Sequence, residues 1–201
     1  MPNLVAPRGF TPSRYLNNSP YNGAANMYYI PQADATQLNV GDAVKSAPTA
    51  DANGIAAVTK ALGTDTVRGV IMGVLIANPN TPSFVGINLD LTIQNIPASK
   101  AKDYYVLVAD DPSLAFELTD DGLAALTASA TTKNASFTVT NPTSPQQNSA
   151  STLSTASVAT TAALPLKILG LVQRADNAFG INAKWLVKFN QHELMGNTAG
   201  V

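Results

Sequence analysis

The sequence predicts an all-β fold, either a small β-barrel or a jelly-roll-like sandwich, with an extended N-terminal arm. Short apolar and β-branched runs recur from Thr36 onwards, and clusters of Gly, Pro, Asn and Asp separate them. Several runs alternate between apolar and polar residues, as strands with one buried face do. About eight such strands at regular spacing are typical of barrels and sandwiches.

The strands follow one another along the body of the chain. Val67–Ala77 is almost continuously apolar, which suits a strand buried on both faces, whereas Phe84–Ile93 alternates most clearly. Gly69 and Gly73 inside the first of these are expected to mark a bulge or a close backbone approach. Other strands are predicted at 55–59, 104–108, 114–118, 136–139, 164–168 and 184–189. The last two are expected to form a hairpin.

Residues 1–34 are predicted to form an extended arm rather than a packed element. Five prolines punctuate the segment, and each fixes its own φ and favours an extended predecessor. The segment is also rich in aromatic residues, which disordered tails usually lack. We therefore expect it to lie along another protein, and a mobile chain end is the alternative. The candidate contact residues are Arg8, Phe10, Arg14, Tyr15, Tyr21, Tyr28 and Tyr29.

Residues 35–201 are predicted to form the all-β body. Between Asp121 and Lys167 the only charged residue is Lys133, and Ser, Thr, Ala, Asn and Pro dominate. We expect a long Ser/Thr/Asn-rich loop at about 141–158. This loop is the sequence support for an alternative hypothesis, a carbohydrate-binding module, although sugar sites usually have exposed aromatic residues and the loop has none.

The charge and cysteine content exclude several classes of partner and site. The net charge is −1, from 12 basic and 13 acidic residues, so there is no basic surplus for nucleic acid or anionic membranes. The chain has no cysteine, which excludes disulfides and thiolate metal sites. Its N-terminus lacks the pattern of a secretory signal. We expect a protein that is made and kept soluble in the cytoplasm.

The sequence offers little catalytic chemistry. His192 is the only histidine, and no phosphate-binding loop or nucleophile elbow occurs. The acidic residues of segment 110–121 are the one cluster that could serve hydrolysis or Ca²⁺ binding, but Asp-Asp-Pro and Asp-Asp-Gly are ordinary turn formers. We expect no enzyme activity, no cofactor and no metal. A hydrolase that uses the acidic turns is the alternative.

Three stretches resemble a known group of proteins. They are PRGFTPSRYLNNSPYNGAANMYYIP, YYVLVADDP at 104–112, and TTAALPLKILGLVQRADNAFGINAKWLVKFNQHEL at 160–194. Together they are similar to the small head proteins of tailed bacteriophages, the decoration or cement proteins. The resemblance implies a virion protein on the capsid exterior that ties major capsid subunits together and self-associates as a dimer or trimer. The competing hypothesis is a virion adhesin that binds carbohydrate.

Overall fold

The computed structural model describes residues 3–76, 88–89, 93–144 and 147–195, and in these ranges the fold is all-β, as predicted. Two single turns of 3-10 helix, Ala128–Ala130 and Thr155–Ser157, are the helical elements found there. None is long and apolar enough to cross a membrane. The strands are β1 Thr11–Tyr15, β2 Asn26–Ile30, β3 Leu38–Asn39, β4 Ala43–Ala50, β5 Ala56–Lys60, β6 Gly69–Ile76, β7 Asn88–Leu89, β8 Asn95–Ile96, β9 Tyr104–Ala109, β10 Leu114–Thr119, β11 Asn134–Ala135, β12 Phe137–Thr138, β13 Thr152–Leu153, β14 Leu166–Leu171 and β15 Lys184–Phe189.

A six-stranded sheet forms one half of the molecule. Its order is β4-β5-β2-β9-β6-β7, and β4 also pairs with β6, so five strands close into a ring. Closure leaves these strands without free edges. An aliphatic core fills the ring, and we define it by Ile30, Leu38, Val58, Ile71 and Val106.

A five-stranded sheet of order β1-β10-β15-β14-β11 forms the other half. Its inner face packs against the ring in a sandwich-like arrangement. The core between the two is aromatic, and we define it by Phe10, Phe116, Phe137, Trp185 and Phe189. Two small sheets, β3-β8 and β12-β13, complete the fold.

Most strands of the body lie where the alternation places them. The hairpin of β14 and β15 is confirmed, with Ile168 opposite Val187. The expectation for the glycines of β6 is confirmed too: the register shifts between Ile71 and Gly73, and a Cβ on Gly69 would lie 2.4 Å from the carbonyl oxygen of Ala109. Most of the predicted strand 84–93 lies outside the described residues. The structure describes residues 88–89, which form β7, and Ile93, which is not in a strand.

The N-terminal segment differs from the prediction. The expectation that residues 1–34 hold no packed element is wrong, because β1 pairs with β10 and β2 pairs with both β9 and β5. Pro12 is tolerated because β1 is an outer strand and its register shifts next to this proline. Of the aromatic residues that suggested an external partner, Phe10 and Tyr28 are buried within their own chain, and Tyr15, Tyr21 and Tyr29 are half-buried.

The predicted loop at 141–158 is only partly a surface loop. Its second half contains β13, and Ser149, Ser151 and Thr155 are buried. The hydroxyl of Ser149 donates to that of Ser151, and the hydroxyl of Thr155 donates to Asp121. Small hydroxyl side chains pair with one another and with the backbone, so an uncharged segment can cross the interior.

Candidate interaction surface

The first residues of the described chain lie extended against the body. The side chain of Asn3 donates to the carbonyl oxygens of Ala178 and Ile181, and it accepts from the Ala178 amide. At the other end of the segment, the Phe10 amide donates to the carbonyl of Gly41 at 2.9 Å. Residues 3–10 are therefore fixed at both ends.

Gly9 is what lets this segment approach so closely. Its φ is +65°, and a Cβ there would lie 2.5 Å from the Gly41 carbonyl oxygen. Only glycine adopts that backbone conformation cheaply without colliding. The approach directs Phe10 into the aromatic core, where its ring meets those of Phe137 and Phe189 at 5.3 Å.

Four large apolar side chains are exposed around the anchored segment. Leu4 and Val5 are 70% and 71% exposed, and Phe179 and Ile181 are 49% and 51% exposed. The bonds of Asn3 hold the two pairs next to each other. We call these four residues the N-terminal patch. Single exposed apolar residues are common on protein surfaces, but a group of them next to an ordered extended segment is typical of a contact site.

A groove of about 370 Å³ runs beside the patch, between the N-terminal segment and the outer face of the five-stranded sheet. Arg8, Arg174 and Lys184 line it together with Glu117. Arg174 pairs with Glu117, and Lys184 lies 3.5 Å from Asp176. Arg8 is exposed and forms no ion pair or hydrogen bond with any other described residue, so it is available to an external acceptor.

The outer face of the same sheet carries a second basic feature. Lys167 of β14 and Lys188 of β15 face each other as direct cross-strand partners. Neither forms an ion pair with any residue in the described ranges. Like charges in this position repel each other. This face is therefore complementary to an acidic surface.

The predicted contact residues are divided between surface and interior. Arg14 is exposed and bonded to Asn18, and the half-buried rings of Tyr15 and Tyr21 lie 6.3 Å apart. Burial raises the pKa of Tyr21, and the nearby Tyr15 adds to the effect. Arg8, Arg14, Tyr15 and Tyr21 thus lie where a partner can reach them.

Two other predicted contacts, Phe10 and Tyr28, belong to the interior. Phe10 is 2% exposed and Tyr28 is 5% exposed. Both are corrections, because their side chains are already covered by the chain itself. Tyr29 is half-buried, with its ring 5.6 Å from that of Tyr105. Burial, followed by the nearby Asp103, raises the pKa of Tyr29 to about 12.

A polar cluster lies where β2 meets the C-terminal residues. The Tyr28 hydroxyl donates to Asp110 at 2.6 Å and accepts from Arg68 at 2.8 Å. Burial, with the bond to Asp110, raises the pKa of Tyr28 to about 12. Arg68 also lies 3.9 Å from Glu193, whose carboxylate accepts from the Ser46 amide. The cluster ties the segment around Glu193 to the strands of the ring.

His192, next to this cluster, is 1% exposed, and its Nε2 has no hydrogen-bond partner among the residues that the structure describes. Its Nδ1 accepts from the Leu194 amide. Burial lowers the pKa of His192, and the Arg68 cation lowers it further. The imidazole is therefore held neutral.

The acidic residues of segment 110–121 do not converge on one site. Asp110 joins the Tyr28 cluster, Asp111 bonds Ser113, and Asp121 bonds Thr155. Asp120 is buried beneath Trp185, whose indole donates to it at 3.2 Å. Burial raises the pKa of Asp120. Each of these carboxylates thus has its own hydrogen-bond partners, and the four do not share a common site.

In the part of the chain that the structure describes, no group of His, Cys, Asp and Glu is arranged to hold a metal ion. No protein-family model, curated protein or solved structure matches the chain. The case for a function therefore depends on the surface described above and on the resemblance found in the sequence.

Two features of this surface escaped prediction from the sequence. The exposed Phe179 and Ile181 come from a turn that resembles any other in composition, and only the Asn3 bonds bring them to Leu4 and Val5. The second feature, the facing Lys167 and Lys188, could have been predicted. Aligning Ile168 with Val187 in the hairpin places these two lysines opposite each other.

Proposed function

We propose that this chain is a structural virion protein that binds the outer surface of a bacteriophage capsid and cements neighbouring major capsid subunits. In this proposal it is assembled in the host cytoplasm, associates with copies of itself and needs no cofactor. The observation that carries the proposal is the N-terminal patch, four exposed apolar side chains beside an extended segment. The sequence resemblance to phage decoration proteins supplies the identity of the partner.

The proposed contact differs from a long flexible arm. Strands β1 and β2 belong to the chain's own sheets, so residues 3–8 and the patch make the contact, with Arg8 as the free cation beside them. A segment that is ordered before binding loses little conformational entropy when it binds. Modest affinity per copy is enough, because many copies act together on one shell.

The test is binding to empty capsids assembled from the major capsid protein of the same virus. The double variant Leu4→Ser/Val5→Ser is expected to lose at least tenfold in affinity, measured by co-sedimentation. Leu62→Ser is the matched control, because Leu62 is 58% exposed on a turn outside the patch. Equal binding by the patch variant and the wild type would remove the patch from the mechanism. No binding by the wild type itself would contradict the capsid proposal.

The Ser/Thr/Asn-rich loop gains no support as a carbohydrate site, since its buried hydroxyls bond within the chain. Glycan-array binding by the intact chain, retained in the patch variant, would favour the adhesin hypothesis instead.

A further inference from the structure

A lysine, an asparagine and an aspartate meet where the ring contacts the segment after β12. The Lys60 ammonium nitrogen lies 2.6 Å from Oδ1 of Asn141 and 2.9 Å from Oδ2 of Asp42. The Lys60 side chain is 8% exposed and that of Asp42 is 1% exposed. A lysine so deeply covered is rare unless it is paired. Here it has both a carboxylate and a side-chain amide within contact distance.

The backbone holds each of the three residues in place. Asp42 closes a tight turn, in which its carboxylate accepts from the Asn39 amide at 2.8 Å and its own amide donates to the Asn39 carbonyl. Lys60 ends β5 opposite Val44. The next amide, that of Ala61, donates to the carbonyl of Ala43, the first residue of β4. Lys60 and Asp42 are therefore fixed relative to each other.

Two contacts bring Asn141 to this pair. A Cβ on Gly63 would lie 2.0 Å from the Phe137 carbonyl oxygen, so the turn after β5 is packed directly on the strand that leads to Asn141. On the far side of the segment, the Ser149 amide donates to the carbonyl of Val40. The position of Asn141 is thus set from both directions.

We propose that Lys60 and Asn141 form an intramolecular amide crosslink, with Asp42 as the catalytic residue that moves the protons. The reacting groups are a primary amine and a carboxamide, and holding such groups in contact replaces a very slow bimolecular reaction with an intramolecular one. Formation of the bond needs no oxidant, metal or cofactor.

The reaction balances as an acyl transfer from one nitrogen to another. Asp42 takes a proton from the Lys60 ammonium, and the free amine attacks Cγ of Asn141 to form the new C–N bond. Asp42 then donates its proton to the departing amide nitrogen and accepts one from the attacking nitrogen. The old C–N bond breaks and ammonia leaves. The proton left on Asp42 passes to the ammonia, which departs as ammonium.

The exposure of the three residues suits this sequence of steps. The side chains of Lys60 and Asp42 are 8% and 1% exposed, so competing water has little access to the amine and the carboxylate. Asn141 is exposed, so the ammonia has a direct way out. The reaction is driven forward because the small product diffuses away.

The bond would join residues that are 81 apart in sequence. It would fix the segment between the two halves of the molecule to the ring, and the closed loop would restrict the unfolded chain. The crosslink itself does not depend on the proposed capsid function.

The test is the intact mass of the purified protein after storage at neutral pH. We expect a mass about 17 Da below that of the sequence, because one ammonia is lost. Trypsin is expected not to cut after Lys60, and tandem mass spectrometry should find a branched peptide that joins Lys60 to Asn141. A full-length mass together with normal cleavage after Lys60 would overturn the proposal.

Three variants separate this bond from other losses of ammonia. Asn22 and Asn53 each precede a glycine, so they could form cyclic imides of the same mass. Asn141 precedes Pro142, which has no backbone N–H for that reaction. Asn141→Ala and Lys60→Arg are expected to abolish the branched peptide, whereas the matched control Asn22→Ala should keep it. The arginine variant preserves the charge beside Asp42, so its fold is expected to survive.

Discussion

The two cores of this protein differ in how they are closed. The aliphatic core is enclosed by a ring of strands that pair with one another all the way round. The aromatic core lies between a five-stranded sheet and the outside of that ring, and its sheet ends at β1 and β11. The first core is closed by backbone hydrogen bonds, and the second by side chains.

The difference teaches what the N-terminal segment does. It supplies Phe10 and an edge strand to the aromatic core, and a central strand with Ile30 to the ring. The ring has other strands around its aliphatic core. The stability of the aromatic core should therefore depend on the N-terminal segment more than that of the aliphatic core does. Four substitutions test this comparison, from the largest expected effect to the smallest.

Phe10→Ala is expected to destabilise the protein most, by about 3–5 kcal/mol. The ring of Phe10 is 2% exposed and contacts those of Phe116, Phe137 and Phe189. Urea unfolding followed by tryptophan fluorescence measures the loss, since Trp185 lies in the same core. The control Leu4→Ala, at an exposed position, should change stability by less than about 0.5 kcal/mol. Equal effects of the two variants would mean that the segment is not part of the core.

Asp120→Ala is expected to cost about 2–3 kcal/mol, because it leaves the buried indole N–H of Trp185 and the Ala183 amide without an acceptor. Asp120→Asn keeps an acceptor oxygen and should cost less than half as much. Thermal unfolding of the two variants at neutral pH makes the comparison. A larger loss for Asn than for Ala would contradict the assigned role of the carboxylate.

Tyr28→Phe is expected to cost about 1 kcal/mol, because Asp110 and Arg68 lose a shared hydroxyl while the ring stays packed. The change is expected to destabilise the ring more than the five-stranded sheet. Amide hydrogen exchange should therefore become faster in β2 and β9. Tyr105→Phe, which removes the hydroxyl that donates to Asp51 at a half-buried site, is the matched control. Similar exchange in the two variants would argue against a special role for the buried cluster.

His192 makes the stability depend weakly on pH. Its folded pKa is lowered by burial and by Arg68, so the unfolded chain binds a proton more readily. Stability is therefore full above the unfolded pKa of about 6.5 and falls as the pH drops below it, by at most about 1.4 kcal/mol per pH unit. His192→Gln should flatten the stability profile between about pH 5 and 7. A wild-type profile that rises towards pH 5 would contradict this sign.

A strand pairing could be predicted from the sequence when the two strands lie close together along the chain. The hairpin of β14 and β15 was predictable because alternation and a nearby turn are local signals. The position of β2 could not be predicted, because Asn26–Ile30 pairs with residues about 80 positions away. The prolines and asparagines that flank this strand also indicate irregular chain. Local composition predicted extended chain for residues 1–34, and the two strands within this range, β1 and β2, are extended. It could not show which surface they would contact.

The candidate site shows the same dependence on local sequence signals. Arg8, Arg14, Tyr15 and Tyr21 could be chosen from the sequence because they are long or aromatic side chains in a proline-rich segment. In the structure the two arginines are exposed and the two tyrosines are half-buried. The Lys60, Asp42 and Asn141 cluster could not, because its members come from three separate segments that only the folded chain brings together.

The central claim is that the N-terminal segment is part of the fold, while its first residues remain free for a partner. Hydrogen exchange of the chain alone and bound to empty capsids tests both halves of the claim. We expect the amides of Met27–Ile30 to be protected as strongly as those of β9 in both states, and residues 3–8 to gain protection only on the capsid. Rapid exchange in β2 of the free chain, or unchanged exchange at residues 3–8 in the bound chain, would contradict the account.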